Sequence, residues 1–459
     1  MSARVLWAPW GWWEGQWHAQ VRLEINAQGL FETVDANCPY PEHAERLSGP
    51  VLPGLVNAHS HAFQRCIAAW TQERHADQDN FWTWRDRMYR VAHQIGPEAL
   101  QSVAAQLYAE MLEGGYTHVC EFHYLHHQMD GQPYADPLCM SRALVQAAHD
   151  VGIGLTLLPV LYERAGFSQP ALRSDQRRFG TQVPELLRMV RTLAQSCSST
   201  LRVGLALHSL RACTPESIQK IQEAVSQEAW PLHIHVAEQT SEVQDCLTHT
   251  GMRPIEWLAH HVQLDPRWHL VHATHTVPAE VEAVAQHGAG LVVCPTTEAD
   301  LGDGLCDLPL WLSSDVPLSV GSDSHVCRNG VVELRWLEYG QRLALQRRNV
   351  AAHPSGGLAS TAQRLWHRVQ QAGSGAAGLS SWGLRPGARA DWLVVDPLTP
   401  GLLGVPGPRT LDALMFACDL PRFIQVGVAG RTVVDQGRHL QGASLASAYA
   451  QAVSSLMTD

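Results

Sequence analysis

Two histidines two residues apart, His59 and His61, are the first residues in this chain able to do chemistry together. On a strand, alternate side chains share a face, so the two imidazoles can grip one ion side by side. Alone, H-x-H says little in a chain with 25 histidines. Three further features join it. His235 is followed three residues later by Glu238 in HVAE, setting an imidazole ligand beside a carboxylate that can shuttle protons. His272 stands in VHATH, and Asp323 stands in VGSDSH, where a carboxylate can complete a metal shell or take a proton from bound water. A metal ion lowers the pKa of such a water from about 16 towards about 7, so the set reads as hydrolytic chemistry at neutral pH.

These residues come from far apart, and the runs that carry them explain how they meet. Eight short apolar or β-branched runs alternate with stretches of helical periodicity, the mark of a parallel α/β fold. They are VLPGLVNAHSH, YTHVCEFHY, GIGLTLLPVLY, LRVGLALHSL, PLHIHVAEQ, WHLVHATH, GAGLVVCPTTE and VPLSVGSDSH. In almost every run the His, Glu, Asp or Thr cluster sits at the C-terminal end. A (β/α)8 barrel collects its site on that face, whereas an open doubly wound sheet would concentrate polar groups at one switch point. The expectation is therefore a catalytic (β/α)8 TIM-like barrel over residues 52–383. Residues 1–51 and 384–459 return to short strand-like pieces, such as RVLWAP and ARADWLVVD, and are expected to pair in one small β-sandwich.

The bulk properties bound the function. A chain of 459 residues fits one barrel and one accessory unit, and 45% hydrophobic with 17% charged residues is a globular balance. The 33 basic and 44 acidic side chains leave a formal charge of -11, which disfavours nucleic acid and anionic membrane surfaces in the absence of a basic run. The 11 cysteines form no C-x-x-C pair and are expected to be reduced thiols. No secretory h-region or spanning apolar stretch is read, so a cytoplasmic location is expected.

Polar residues near the other strand ends point to the substrate. Gln64 lies in HAFQR, Arg85 in FWTWRDRMYR, Tyr124 in EFHY, and His208 and Arg211 in LHSLRAC. Two guanidinium forks with a tyrosine and a glutamine would suit a small molecule carrying carboxylates. Each residue also has a plainer reading. Arg85 and Arg87 can flank a solvated helix, Gln64 can cap a helix, Tyr124 can pack at the rim, and the aromatics from Phe81 to Trp84 can be packing. His325 can be an outer support of the metal site or a loop residue, and His233 is expected to pack inside the barrel.

The whole set resembles the amidohydrolase superfamily, from VLPGLVNAHSH to ARADWLVVDP. The resemblance implies His59, His61, His235 and Asp323 as metal ligands. It also implies Glu238 as proton carrier and His272 as the group that polarises the substrate, because H-x-x-E is similar to the deaminating members. Members with two metals bridge them with a carbamylated strand lysine. Here the single lysine, Lys220, lies in a helical stretch, so one divalent ion is expected. The nitrogen-rich ligands favour zinc, with iron or manganese as alternatives. Within the superfamily, HAFQR, FWTWR, HSLRA and GSDSHV look like the formimidoylglutamate deiminases of histidine degradation. That resemblance implies hydrolysis of N-formimino-L-glutamate to N-formyl-L-glutamate and ammonia, with Gln64, Arg85, Tyr124, His208 and Arg211 contacting substrate. Relatives are commonly dimers, so a homodimer is the partner to consider. A deaminase of guanine or another heterocyclic amine would use the same metal and acid-base residues, and a barrel serving only as a binding scaffold would be expected to lack some of them.

Overall fold

The computed structural model describes residues 3–72 and 81–456, except for the side chains of residues 81–83. Each of the eight runs contributes a barrel strand: Leu55–Ser60, Tyr116–His123, Gly154–Leu161, Leu205–Ser209, Leu232–Val236, Trp268–His272, Gly290–Val293 and Leu318–Val320. Neighbours pair in parallel in this order, and the short strand Leu201–Val203 adds to the third. All are buried along nearly their whole length, as a sheet covered on both faces must be. The last strand returns to the first. A bridge joins Ser60 to Asp323, and Asn57 both donates to Ser322 Oγ at 2.6 Å and accepts from Ser322 N–H at 3.0 Å. Backbone bonds from Ser322 and Asp323 N–H to the His59 carbonyl, at 3.1 and 3.0 Å, close the ring together with that side-chain pair.

The crossover helices are punctuated locally. Pro97, Pro215, Pro254, Pro278 and Pro295 each open a helix, where a missing N–H costs nothing. Their apolar faces join the inner strands in one large core.

The terminal segments do meet, in a continuous nine-stranded sheet that carries its own core of Leu6, Val21, Leu23, Phe31, Trp392 and neighbours. Two features differ from the sequence expectation. The run VLPGLVNAHSH is two strands: Val51–Pro53 pairs with Arg4–Trp13 and Trp392–Val395 in the terminal sheet, and only Leu55–Ser60 belongs to the barrel. The break is Gly54, where an added Cβ would lie 2.0 Å from Thr117 Oγ1. The boundary therefore falls at Gly54 rather than at residue 51. Residues 384–459 are also not all β. Helices Thr410–Phe416 and Gly442–Leu456 pack on the barrel, the second through Tyr449, whose hydroxyl accepts from Arg65 at 3.1 Å. Its alanine-rich sequence favours helix over strand.

All 11 cysteines are free, as expected of reduced thiols. No helix among the described residues is long and apolar enough to cross a membrane.

Candidate metal and active site

The strand ends bring the first histidines together. His59 and His61 project from the first strand with their Nε2 atoms 3.1 Å apart, and His235 from the fifth strand places Nε2 3.0 Å from that of His59. Asp323 Oδ1 lies 3.3 Å from both His59 and His61. All four are buried. The outer nitrogens settle the tautomers of two rings: His61 Nδ1 donates to the Phe122 carbonyl and His235 Nδ1 to the His208 carbonyl, each at 2.9 Å. Their Nε2 atoms are therefore left as lone pairs aimed at one point.

Burial holds His59, His61 and His235 below the usual imidazole range, with mutual repulsion adding to it at His59 and His235 and Asp323 opposing it at His61. Neutral lone pairs converging at this distance repel unless a cation lies between them, and neutral imidazoles are what a divalent ion needs. The donor set fits a metal. Lys220 is exposed on the helix Pro215–Ala224 and takes no part in it.

Beside this cluster stand the residues expected to do acid-base work. Glu238 Oε1 is 3.6 Å from His272 Nε2, and His272 Nδ1 is 3.4 Å from Glu298 Oε1. Burial lifts the Glu238 carboxyl to about 7 against the pull of His272. Burial opposes charge on His272, but Glu238, Glu298 and Asp323 outweigh it and carry the ring to about 10. A divalent cation on the neighbouring histidines would oppose that protonation. Backbone geometry is unusual here: Ala237, His272, Ala273, Asp323 and His325 all have left-handed φ between 45° and 71°. Such conformations are costly for non-glycine residues and cluster where side chains must be aimed.

The residues expected to meet substrate line one cavity with members of the candidate metal cluster and its neighbours: Gln64, Arg85, Tyr124, His208 and Arg211 share its walls with His61, His235, Glu238, His272 and Asp323. Gln64 Nε2 donates to the Tyr124 hydroxyl at 3.1 Å, while Gln64 Oε1 is buried with no hydrogen-bond partner. Burial, then repulsion from Arg211 and Arg173, lowers the Arg85 guanidinium from its ordinary value. Cations crowded in a buried cavity are relieved by an anion. Burial, with Arg211, His61 and Arg85 adding to it, keeps His208 neutral, and burial keeps Tyr124 a phenol.

The plainer readings sort out as well. Arg87 turns away and donates to the Trp70 carbonyl at 3.2 Å. His325 is fully buried, 3.1 Å from Ser322 Oγ and 3.3 Å from Ser60 Oγ, and so braces the closure of the barrel. His233 packs inside the barrel, donating to the Ala376 carbonyl at 2.8 Å. Trp84 lines the cavity, whereas the side chains of Phe81 and Trp82 lie outside those described.

Four residues escaped the sequence reading: Tyr89, Tyr162, Glu242 and Glu298. Tyr162 follows the third strand and its ring lies 4.4 Å from that of His208, so its strand-end position was the available signal. Tyr89 sits one helical turn beyond Arg85 with the guanidinium over its ring. Glu242 and Glu298 both accept from backbone amides, and Glu298 also faces His272; such contacts leave no pattern in sequence.

A chain with this barrel, this cluster of converging histidines and this flanking sheet belongs to the amidohydrolase family, whose model matches residues 51–433. It is 44% identical over 446 residues to formimidoylglutamate deiminase of Pseudomonas aeruginosa, covering 96% of this chain and 97% of that one. A crystal structure of an amidohydrolase from Brucella melitensis is 37% identical, with a TM-score of 0.94 over 99% of this chain and 100% of the other. The fold is shared with atrazine chlorohydrolase from Arthrobacter aurescens TC1, a structure in complex with zinc, at 18% identity and a TM-score of 0.83 over 98% of this chain and 99% of that one.

Proposed function

We propose that this chain hydrolyses N-formimino-L-glutamate to N-formyl-L-glutamate and ammonia, as a step of histidine degradation, using one zinc ion. The observation that carries the reading is a single cavity lined by both Arg85 and Arg211 and by His61, His235 and Asp323, which converge with His59 just behind its wall. The identity to the Pseudomonas aeruginosa deiminase over nearly the full chain supports it.

A metal ion held by the three histidines and Asp323 would acidify water so that a nucleophile is available at neutral pH. The remaining steps belong to the chain's own residues. Arg85 and Arg211 pair with the two substrate carboxylates, and bidentate geometry fixes the formimino carbon against the cluster. Tyr124 and Gln64 offer a hydroxyl and a buried acceptor to the middle of the substrate. Water adds to the formimino carbon as Asp323 takes one of its protons, and this proton and then the remaining hydroxyl proton are passed through Asp323 and Glu238 to the imino nitrogen, which so gains both hydrogens of the water. The C–N bond to that nitrogen then breaks, giving ammonia and the formyl C=O. A carboxyl near 7 can both accept and donate at neutral pH, as such a carrier must. His272, oriented by Glu298, hydrogen bonds to the reacting group.

The test is ammonia release by the metal-replete enzyme from N-formimino-L-glutamate beside guanine, adenosine and other ring amines. Turnover confined to the formimino compound is expected. Turnover of a ring amine with none of the formimino compound overturns the assignment.

A further inference from the structure

The fifth barrel strand ends at Val236, and the chain reverses at once through Ala237, whose φ is 52°. That left-handed turn aims Glu238 back across the strand ends towards His272, so something must hold it. The third residue of the next helix, Thr240–Thr250, is Glu242, 5% exposed. Its Oε1 accepts the Ala237 N–H and its Oε2 accepts the Glu238 N–H, both at 3.1 Å. A glutamate at this helix position ordinarily reaches back to the capping residue, here Gln239. Instead it spans the two residues before it, which are those that set the direction of Glu238. From the other side, His275 N–H donates to the Ala237 carbonyl at 3.0 Å, and Ala273 N–H to Val236 at 3.0 Å. The turn is therefore gripped on both edges. Glu242 also lines the cavity with Arg211; burial raises its carboxyl above the ordinary range, and that guanidinium and the two amides oppose the rise.

We infer that Glu242 is a positioning residue for the reaction, a carboxylate clamp that holds the Glu238 turn in its left-handed form and joins the acid-base end of the cavity to the arginine end. The inference rests on Glu238 being the proton carrier of the proposed function. Both oxygens of the clamp are engaged by N–H donors, so only a carboxylate satisfies the two together. A glutamine of the same shape accepts from one amide and presents an NH2 group to the other. An aspartate, one methylene shorter, keeps its charge towards Arg211 but reaches one amide at most.

The experiment measures kcat, KM and metal per chain for Glu242→Gln and Glu242→Asp, alone and with Glu238→Gln. The substrate is whichever amine the wild type deaminates, so a wrong substrate assignment does not blunt the test. Displacing a catalytic group by about 1 Å can cost up to ~100-fold, so a fall in kcat of ~10-fold or more is expected for both variants, at wild-type metal content. KM for Glu242→Asp should stay close to wild type. In the Glu238→Gln background, adding Glu242→Gln should remove almost no further rate, because the group being positioned is already gone. Unchanged kcat, loss of rate in step with loss of metal, or full additivity in the double variant would each overturn the inference.

Discussion

Replacing Arg211 by methionine keeps much of the stem and removes the fork, and the structure says what that should do. The loop will stay in place, because Arg164 holds the carbonyls of Leu210, Arg211 and Cys213 at 2.9, 3.1 and 2.9 Å without using the Arg211 side chain. The cost should fall on the substrate. A hydrogen bond to a charged group contributes about 1.5–3 kcal/mol, and a bidentate pair offers two. Arg211 is half-buried, so solvent screens part of this, and a net loss of about 2–3 kcal/mol is a fair working figure. That corresponds to roughly 30- to 150-fold in kcat/KM, carried mostly by KM because the carboxylate is bound alike in ground and transition states. Arg211→Lys should lie between, keeping charge but losing the fork. In folding stability two effects oppose each other, since the Arg85 guanidinium is relieved of a repelling neighbour while the buried Glu242 loses the cation that offsets its burial and keeps its two backbone donors. The assay is steady-state ammonia release from N-formimino-L-glutamate and from N-formimino-glycine, which lacks the side-chain carboxylate. One of Arg85→Met and Arg211→Met should lose its penalty with the glycine analogue. An unchanged KM for Arg211→Met, or equal penalties for both variants on both substrates, would refute the pairing.

Other outcomes follow from the same geometry. Glu238→Gln should lower kcat by about 100- to 10,000-fold while metal per chain, read by elemental analysis, stays at wild type. Chelation should abolish turnover and lower Tm, by an amount equivalent to about 2.7 kcal/mol at metal 100-fold above Kd, and zinc should restore both. Burial lifts Glu333, which accepts from Thr296 N–H and Oγ, to about 8 from an ordinary 4.5. Its folded form keeps a proton that the unfolded chain releases, so its contribution is full below 4.5 and is lost as pH rises to about 8. Urea midpoints across that window should fall in the wild type and fall less in Glu333→Gln.

The barrel and the convergence of His59, His61, His235 and Asp323 were legible because both follow short-range rules. His59 and His61 share a face by strand alternation, and His235, His272 and Asp323 mark strand ends, where a parallel barrel must place its site. What was hidden depends on tertiary neighbours. Gly54 splits a seemingly continuous apolar run because Thr117, distant in sequence, leaves no room for a Cβ. The helix Gly442–Leu456 was masked by the β-rich stretches before it. Glu242 looks like any first-turn glutamate until Ala237 takes a left-handed φ beside it. Arg85 and Arg87 are alike in sequence, and only the fold sends one to the cavity and the other to Trp70.

The central claim is that water attacks the formimino carbon and that the imino nitrogen leaves. Product analysis by NMR in 18O-labelled water tests it directly. The account predicts ammonia and N-formyl-L-glutamate in equal amounts, with one labelled oxygen in the formyl group. Release of glutamate with formamide, or an unlabelled formyl product, would contradict it.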